Sequence, residues 1–172
     1  MNTKLLAETA KKLVAPKKGI LAADESSNTI KSRFDSIGVE STELNRRDYR
    51  EMLFTTKDIS QFISGVILFD ETMRQNDLNG ASLVSILSDQ DIIPGIKVDT
   101  GAKPLAGSKG ETITEGLDNL RERLKIYKSK GADFAKWRAV ITIGPDIPSK
   151  ACLHANAHAL ARYSALAQEC GM

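Results

Sequence analysis

A carboxylate and three cations stand near the ends of short apolar runs, where they could act on an anionic carbonyl compound. Asp24 ends the first run, and Lys97 lies near the end of the third. Lys136 and Arg138 lie in the fourth. Cationic side chains bind phosphate groups, and crowding among cations favours the neutral, nucleophilic form of a lysine. A phosphorylated ketone or aldehyde would use both properties, and on residue chemistry alone Lys136 is the best candidate for a lysine that forms an imine.

A purely structural cluster of ion pairs is the alternative for these four residues, because a charged side chain inside a strand is costly to bury unless it is paired. We favour the functional interpretation, since lysines and an arginine gathered at strand ends suit an anionic substrate.

Three hydroxyl side chains follow Asp24 directly and open a predicted helix: Ser26, Ser27 and Thr29. Hydroxyls and free backbone N–H groups at the start of a helix can hold a phosphate oxygen. They can equally cap the helix. Phosphate binding and helix capping therefore both stay open at this segment.

Two other patterns are weak. His154 and His158 lie four residues apart on a predicted helix, which is the spacing of a two-histidine metal site, but no carboxylate accompanies them. We therefore expect no metal. The segment at 101–110 is rich in glycine and lysine but lacks the spacing of a nucleotide-binding loop.

The candidate residues are carried by an alternation of strands and helices. Helical patterns separate the strands, beginning with an amphipathic helix built on Leu6, Ala10, Leu13 and Val14 and ending with an alanine-rich helix over 149–168. A glycine-rich loop over 100–116 follows the third strand. Four buried strands are predicted, at 19–24, 63–69, 93–99 and 133–143.

The intervening helices are predicted from apolar residues at helical spacing. One pattern contains Ile30, Phe34 and Ile37, and the next contains Tyr49, Met52 and Leu53. Two further patterns contain Leu83, Ile86 and Leu87, and then Leu117, Leu120, Leu124 and Tyr127.

Side-chain alternation favours a barrel over an open parallel sheet. Lys136 and Arg138 share one face of the fourth strand, whereas Ala135, Trp137 and Ala139 share the other. Both faces of an open sheet meet helices and are apolar. A charged inner face is typical of a barrel whose active site lies at the carboxyl ends of the strands.

The overall composition limits the classes of partner that we expect for this chain. The chain has 172 residues, a formal net charge of +2 and two cysteines without paired spacing. Its cations are dispersed, so we expect no nucleic-acid partner. We find no signal-peptide or membrane-span pattern and expect a cytoplasmic protein with free thiols.

Several segments resemble class I fructose-bisphosphate aldolases, colinearly along nearly the whole chain. They are LAADES at 21–26, NRRDYR at 45–50, GVILFDET at 65–72, GIKVD at 95–99, PLAG at 104–107, FAKWR at 134–138 and LARY at 160–163. The resemblance implies an α/β fold: the N-terminal half, four β/α units, of a TIM (β/α)₈ barrel with an extra N-terminal helix. It also implies a cofactor-free lyase of glycolysis and gluconeogenesis that cleaves fructose 1,6-bisphosphate reversibly to dihydroxyacetone phosphate and glyceraldehyde 3-phosphate through a lysine imine.

The same resemblance implies roles for individual residues. Asp24 and Lys136 match catalytic residues of the family, the first bonding the reacting hydroxyls and the second assisting proton transfer. The matched substrate-binding residues are Lys97, Arg138, Ser26, Thr29 and Arg33.

Two catalytic residues of the family have no match. The imine lysine lies in a later KPN-type strand of the family, and the general acid/base glutamate lies in a fifth strand. We therefore expect residues 1–172 to form a single partial barrel domain that ends before the fifth strand, inactive alone and associating as a homo-oligomer. The alternative is a non-catalytic half-barrel that binds sugar phosphates or serves as an assembly module.

Overall fold

The computed structural model describes residues 3–172, so the first two residues of the predicted domain lie outside it. Its principal sheet contains four parallel strands in the order β1-β2-β3-β6, and β4 and β5 form a separate antiparallel hairpin. The strands are β1 Gly19–Ala23, β2 Ile63–Leu68, β3 Ile93–Lys97, β4 Gly101–Pro104, β5 Thr112–Glu115 and β6 Phe134–Lys136.

Helices follow the parallel strands, which confirms the predicted alternation. Two short 3₁₀ helices, Ile59–Gln61 and Thr72–Arg74, precede and follow β2. The α-helices are α1 Thr3–Leu13, α2 Ser27–Asp35, α3 Glu43–Phe54, α4 Leu83–Ser88, α5 Leu120–Ser129 and α6 Lys150–Glu169.

The core lies between the outer face of the sheet and these helices. Val66, Leu68 and Ile96 on the strands are fully buried, as are Leu87 on α4 and Leu124 on α5. Burying one such aliphatic side chain contributes about 1.5–3 kcal/mol. Because strand side chains alternate, the residues between these buried positions point to the opposite face of the sheet, where the charged groups lie.

Close packing surrounds two glycines near the amino end of the sheet. The ring of Phe134 lies so near Gly95 that a side chain at that position would overlap it. Leu13, at the end of α1, packs in the same way against Gly65. Ser64 Oγ donates to the Leu13 carbonyl oxygen over 2.5 Å and joins α1 to β2. Phe134 and Leu13 therefore fill the space that side chains at positions 95 and 65 would occupy.

Two predictions about strands are wrong. The glycine-rich segment at 100–116 is not one loop, because β4 and β5 pair within it, and Gly107 and Gly110 adopt positive φ in its turn. The fourth strand ends at Lys136 rather than at 143. Beyond Lys136, the backbone groups of Arg138 and Val140 bond to side chains instead of to a neighbouring strand.

Three large apolar residues at predicted helix positions are exposed. Met52 faces solvent because α3 buries Arg50 and Phe54 instead. Ile37 lies beyond the end of α2 and is exposed. Val14 follows the end of α1 and is also exposed. Val14 and Ile37 lie just beyond helix ends, which sequence periodicity locates only to within a residue or two. Met52 lies at the edge of the apolar face that periodicity predicted for α3.

No helix between Thr3 and Met172 is both long enough and apolar enough to cross a membrane. Cys152 and Cys170 are free thiols, as predicted.

Candidate active site

A cavity of about 380 Å³ opens at the carboxyl end of the parallel strands. All seven residues predicted for the site line this cavity, together with two carboxylates that sequence reasoning missed, Glu25 and Asp99. Four cations thus face three carboxylates, which leaves one positive charge in excess. The seven predicted residues are Asp24, Ser26, Thr29, Arg33, Lys97, Lys136 and Arg138.

Strong curvature of the sheet brings side chains at the ends of its two outer strands into contact across the cavity. Asp24 directly follows β1, and Lys136 ends β6, yet Lys136 Nζ lies 2.6 Å from Asp24 Oδ2. Three interstrand steps would separate these outer strands by about 14 Å in a flat sheet. The ion pair therefore depends on a sheet that curls around the cavity, as a barrel does.

Lys97 is held by a carboxylate from its own strand end. Its Nζ donates to Asp99 Oδ1 and to the Asp99 carbonyl oxygen, each over 2.6 Å. The Asp99 side chain is almost fully buried and also accepts from the Gly101 N–H over 3.1 Å. Asp99 lies two residues after Lys97, and that spacing could have indicated that both face the same side.

Arg138 is the cation of the cavity without a carboxylate partner. Asp24 pairs with Lys136, Asp99 with Lys97, and Glu25 with Arg33. Among residues 3–172, no side chain accepts a hydrogen bond from the Arg138 guanidinium. Its five donors are therefore free to bind an anion.

The start of α2 presents hydroxyls to the same cavity. Ser26 occupies the N-cap position, but its side chain makes no capping hydrogen bond. Its Oγ lies 3.1 Å from Thr29 Oγ1 instead. Ser27, the third hydroxyl of this segment, is exposed and does not line the cavity. Side-chain capping, one of the two predicted alternatives, is thus not what Ser26 does.

A buried arginine supports the loop that carries Asp24 and Ser26. Arg50 of α3 is fully buried and donates through Nη2 to the Glu25 carbonyl oxygen over 2.8 Å. Burial lowers the pKa of Arg50 from its ordinary value, although its neighbours Glu25 and Glu71 oppose that shift. Hydrogen bonds from Arg46 hold the pKa of Glu71 below its ordinary value. Sequence reasoning missed this support, since arginines on a helix usually face solvent.

The two histidines that have the spacing of a metal site lie apart from the cavity. Within residues 3–172, no group of three or more histidine, cysteine, aspartate or glutamate side chains could hold a metal ion. His154 and His158 lie on α6, are exposed, and do not line this cavity.

This arrangement can hold an anionic group at Arg138 and exchange protons with a hydroxyl at the Asp24–Lys136 pair. These side chains lie at or just beyond the carboxyl ends of β1 and β6, which are far apart in the sequence. The site therefore exists only in the folded chain.

Comparison with known proteins places this geometry in a family. The family model for class I fructose-bisphosphate aldolase matches residues 5–172. A probable fructose-bisphosphate aldolase class 1 from Xanthomonas campestris pv. campestris is 60% identical over all 172 residues, which cover 52% of that protein. A cytosolic fructose-bisphosphate aldolase 4 from Arabidopsis thaliana is 54% identical over 157 residues, covering 91% of this chain and 40% of that protein.

A solved structure gives the same result. The fructose-bisphosphate aldolase of Plasmodium falciparum, in a ternary complex with TRAP and a small-molecule inhibitor, superposes with a TM-score of 0.95 at 48% identity. The match covers 98% of this chain and 49% of that one, and it confirms the predicted half of an aldolase-type TIM barrel. The chain thus spans about half the length of the relatives it matches. It belongs to the class I fructose-bisphosphate aldolase family.

Proposed function

We propose that this chain supplies one half of an aldolase active site, the half that binds a sugar phosphate and transfers protons. The substrate is fructose 1,6-bisphosphate, and the complete site cleaves it reversibly to dihydroxyacetone phosphate and glyceraldehyde 3-phosphate. One observation carries the proposal: seven residues matching the family's site line one cavity that holds an unpaired arginine.

Binding begins with the phosphate. Arg138 offers a planar fork of donors that can bond two phosphate oxygens at once, and Lys97 adds a second positive charge. Ser26 and Thr29 add hydroxyl donors at the start of α2. Arg33 is exposed and already paired with Glu25, so we expect it to contribute least to phosphate binding among these five residues.

Proton transfer is assigned to the ion pair across the cavity. Asp24 is an acceptor that can bond a reacting hydroxyl, and Lys136 can give or take a proton at the adjacent carbon or oxygen. Their contact of 2.6 Å places both groups where one bound hydroxyl could reach them.

We propose that the chain alone forms no imine. A lysine needs a free amine to attack a carbonyl, and both cavity lysines are engaged in ion pairs, Lys97 with Asp99 and Lys136 with Asp24. Borohydride reduction in the presence of substrate should therefore leave no stoichiometric adduct by mass spectrometry. A specific adduct mapped to Lys136 would instead make Lys136 the imine-forming lysine.

Calorimetric titration of fructose 1,6-bisphosphate at low salt tests the binding proposal. The wild-type chain should bind weakly, and Lys97→Ala should bind more weakly still. Lys31→Ala is the matched control, because Lys31 is an exposed, ion-paired lysine outside the cavity. An equal response from all three proteins would contradict the proposed role of Lys97.

We also infer a cytoplasmic location, which is supported by the cytosolic name of the Arabidopsis relative.

Residues 1–172 are proposed to form one partial barrel domain that associates with further copies. The outer strands β1 and β6 each have a free edge within residues 3–172, and Ile20 on β1 is exposed. Sedimentation that stays monomeric over a concentration series would contradict this association.

A further inference from the structure

We propose that Asp99 and Thr114 are positioning residues that fix Arg138 in the cavity by holding both polar groups of its backbone. The inference rests on the proposed function, because it assumes that Arg138 receives an anionic group. It assigns a role in ligand binding to the β4–β5 hairpin, which contributes Thr114 but whose lysines, Lys103 and Lys109, lie outside the cavity.

Two side chains take the place of a neighbouring strand around Arg138. The Arg138 N–H donates to Asp99 Oδ2 over 3.2 Å, and Thr114 Oγ1 donates to the Arg138 carbonyl oxygen over 2.7 Å. The parallel pairing of β6 ends at Lys136, so Arg138 makes no ladder hydrogen bond of its own. Its backbone position therefore depends on these two side chains.

Both side chains are themselves fixed. Thr114 is buried and lies in β5, where it pairs with Ala102 of β4. Asp99 is buried and bonds Lys97 and the Gly101 N–H through its other oxygen. One carboxylate thus connects the end of β3, the start of the hairpin and the segment after β6.

The backbone clamp matters because the Arg138 side chain has no support of its own. The residue is exposed, and no side chain among residues 3–172 holds its guanidinium. A planar guanidinium binds a phosphate best when its fork meets two oxygens in plane, so a small rotation of the backbone loses one of the two hydrogen bonds.

The β5 strand offers a matched pair of threonines for the test. Thr112, two residues before Thr114, makes the same kind of contact: its Oγ1 donates to the Val140 carbonyl oxygen over 2.7 Å. Thr114→Val removes the hydroxyl and keeps the shape of the side chain, Thr114→Ser keeps the hydroxyl, and Thr112→Val removes the neighbouring hydroxyl only.

Inorganic phosphate and fructose 1,6-bisphosphate are titrated into each variant at low salt and followed by NMR. Thr114→Val should weaken binding about fivefold, Thr114→Ser should restore it, and Thr112→Val should weaken it by less than about twofold. In an Arg138→Ala background Thr114→Val should have no further effect. Equal loss from both valine variants, or continued loss without Arg138, would overturn the positioning role.

Hydrogen exchange in the wild-type chain keeps the proposal testable if Thr114→Val does not fold. The Arg138 amide should exchange as slowly as the Val98 amide, which donates to the Lys136 carbonyl oxygen over 3.0 Å within the sheet. Rapid exchange at Arg138 would overturn the clamp. If the wild-type chain binds neither phosphate nor fructose 1,6-bisphosphate, the proposed function is contradicted. If the Arg138 amide then still exchanges slowly, the two hydrogen bonds hold the backbone but have no role in ligand binding, which overturns the positioning role.

Discussion

Two groups of charged side chains lie side by side at the carboxyl end of the sheet, and they differ in how completely their charges are paired. Behind the cavity, Glu71 accepts two hydrogen bonds from Arg46, at 2.9 and 2.5 Å, and a third from the buried Arg50 at 3.3 Å. In the cavity, Lys97 and Lys136 each pair with one carboxylate, and Arg138 pairs with none.

We interpret this difference in pairing as a division of roles, in which the fully paired arginines stabilise the fold and the unpaired arginine binds the ligand. Arg46 and Arg50 satisfy a carboxylate and backbone carbonyls, so they stabilise the fold and have little left to offer a ligand. Arg138 offers its full set of donors to the cavity. The two segments, NRRDYR and FAKWR, are similarly cationic in sequence, and only the folded arrangement of carboxylates tells them apart.

The largest effect should come from breaking the paired group. Glu71→Ala leaves the fully buried Arg50 without its carboxylate and should destabilise the chain by about 3 kcal/mol. Lys31→Ala breaks an exposed pair and should cost less than about 1 kcal/mol. Urea unfolding of both variants measures the contrast. Equal destabilisation would mean that Arg50 does not depend on Glu71.

Removing the unpaired cation should affect binding instead of stability. Arg138→Ala should weaken binding of fructose 1,6-bisphosphate at least about tenfold at low salt, because a charged, bidentate contact is lost. Its urea midpoint should stay near the wild-type value, since no side chain depends on it. Arg162→Ala is the control, an exposed arginine on α6 outside the cavity. Loss of stability without loss of affinity would reverse the assignment.

A smaller effect is expected in the pH dependence of stability. Hydrogen bonds from Arg46 hold the folded-state pKa of Glu71 below its ordinary value of 4.5. A carboxyl with a depressed folded pKa stabilises the fold above its unfolded pKa, and that stability is lost as pH falls through the folded pKa. Urea midpoints from pH 6 down to pH 3 should therefore fall more steeply for wild type than for Glu71→Gln. Parallel curves would contradict this.

Much of the fold follows from sequence pattern. The first three strands begin at their predicted residues because runs of aliphatic residues bounded by Gly, Pro and Asp have few alternatives. The hairpin was missed because its glycines and lysines are typical of a loop, while the alternation that makes β5 a strand spans only Thr112–Glu115.

The site could be predicted in part. Resemblance and side-chain parity brought seven residues together, but not Glu25 and Asp99, whose importance depends on which cations they pair with. Arg50 could not be found either, because its burial depends on contacts with Glu25 and Glu71, distant in sequence. Local spacing could have indicated the Lys97–Asp99 pair, but the Lys136–Asp24 pair joins residues far apart in the sequence and depends on tertiary structure.

NMR of the arginine side chains tests the central contrast most directly, because it reports on each guanidinium separately. Fructose 1,6-bisphosphate is titrated into the chain at low salt while the Nε–Hε signals of Arg138, Arg46 and Arg50 are followed. The account predicts a saturable shift at Arg138 and unchanged signals at Arg46 and Arg50. No shift at Arg138, or equal shifts at all three arginines, would contradict it.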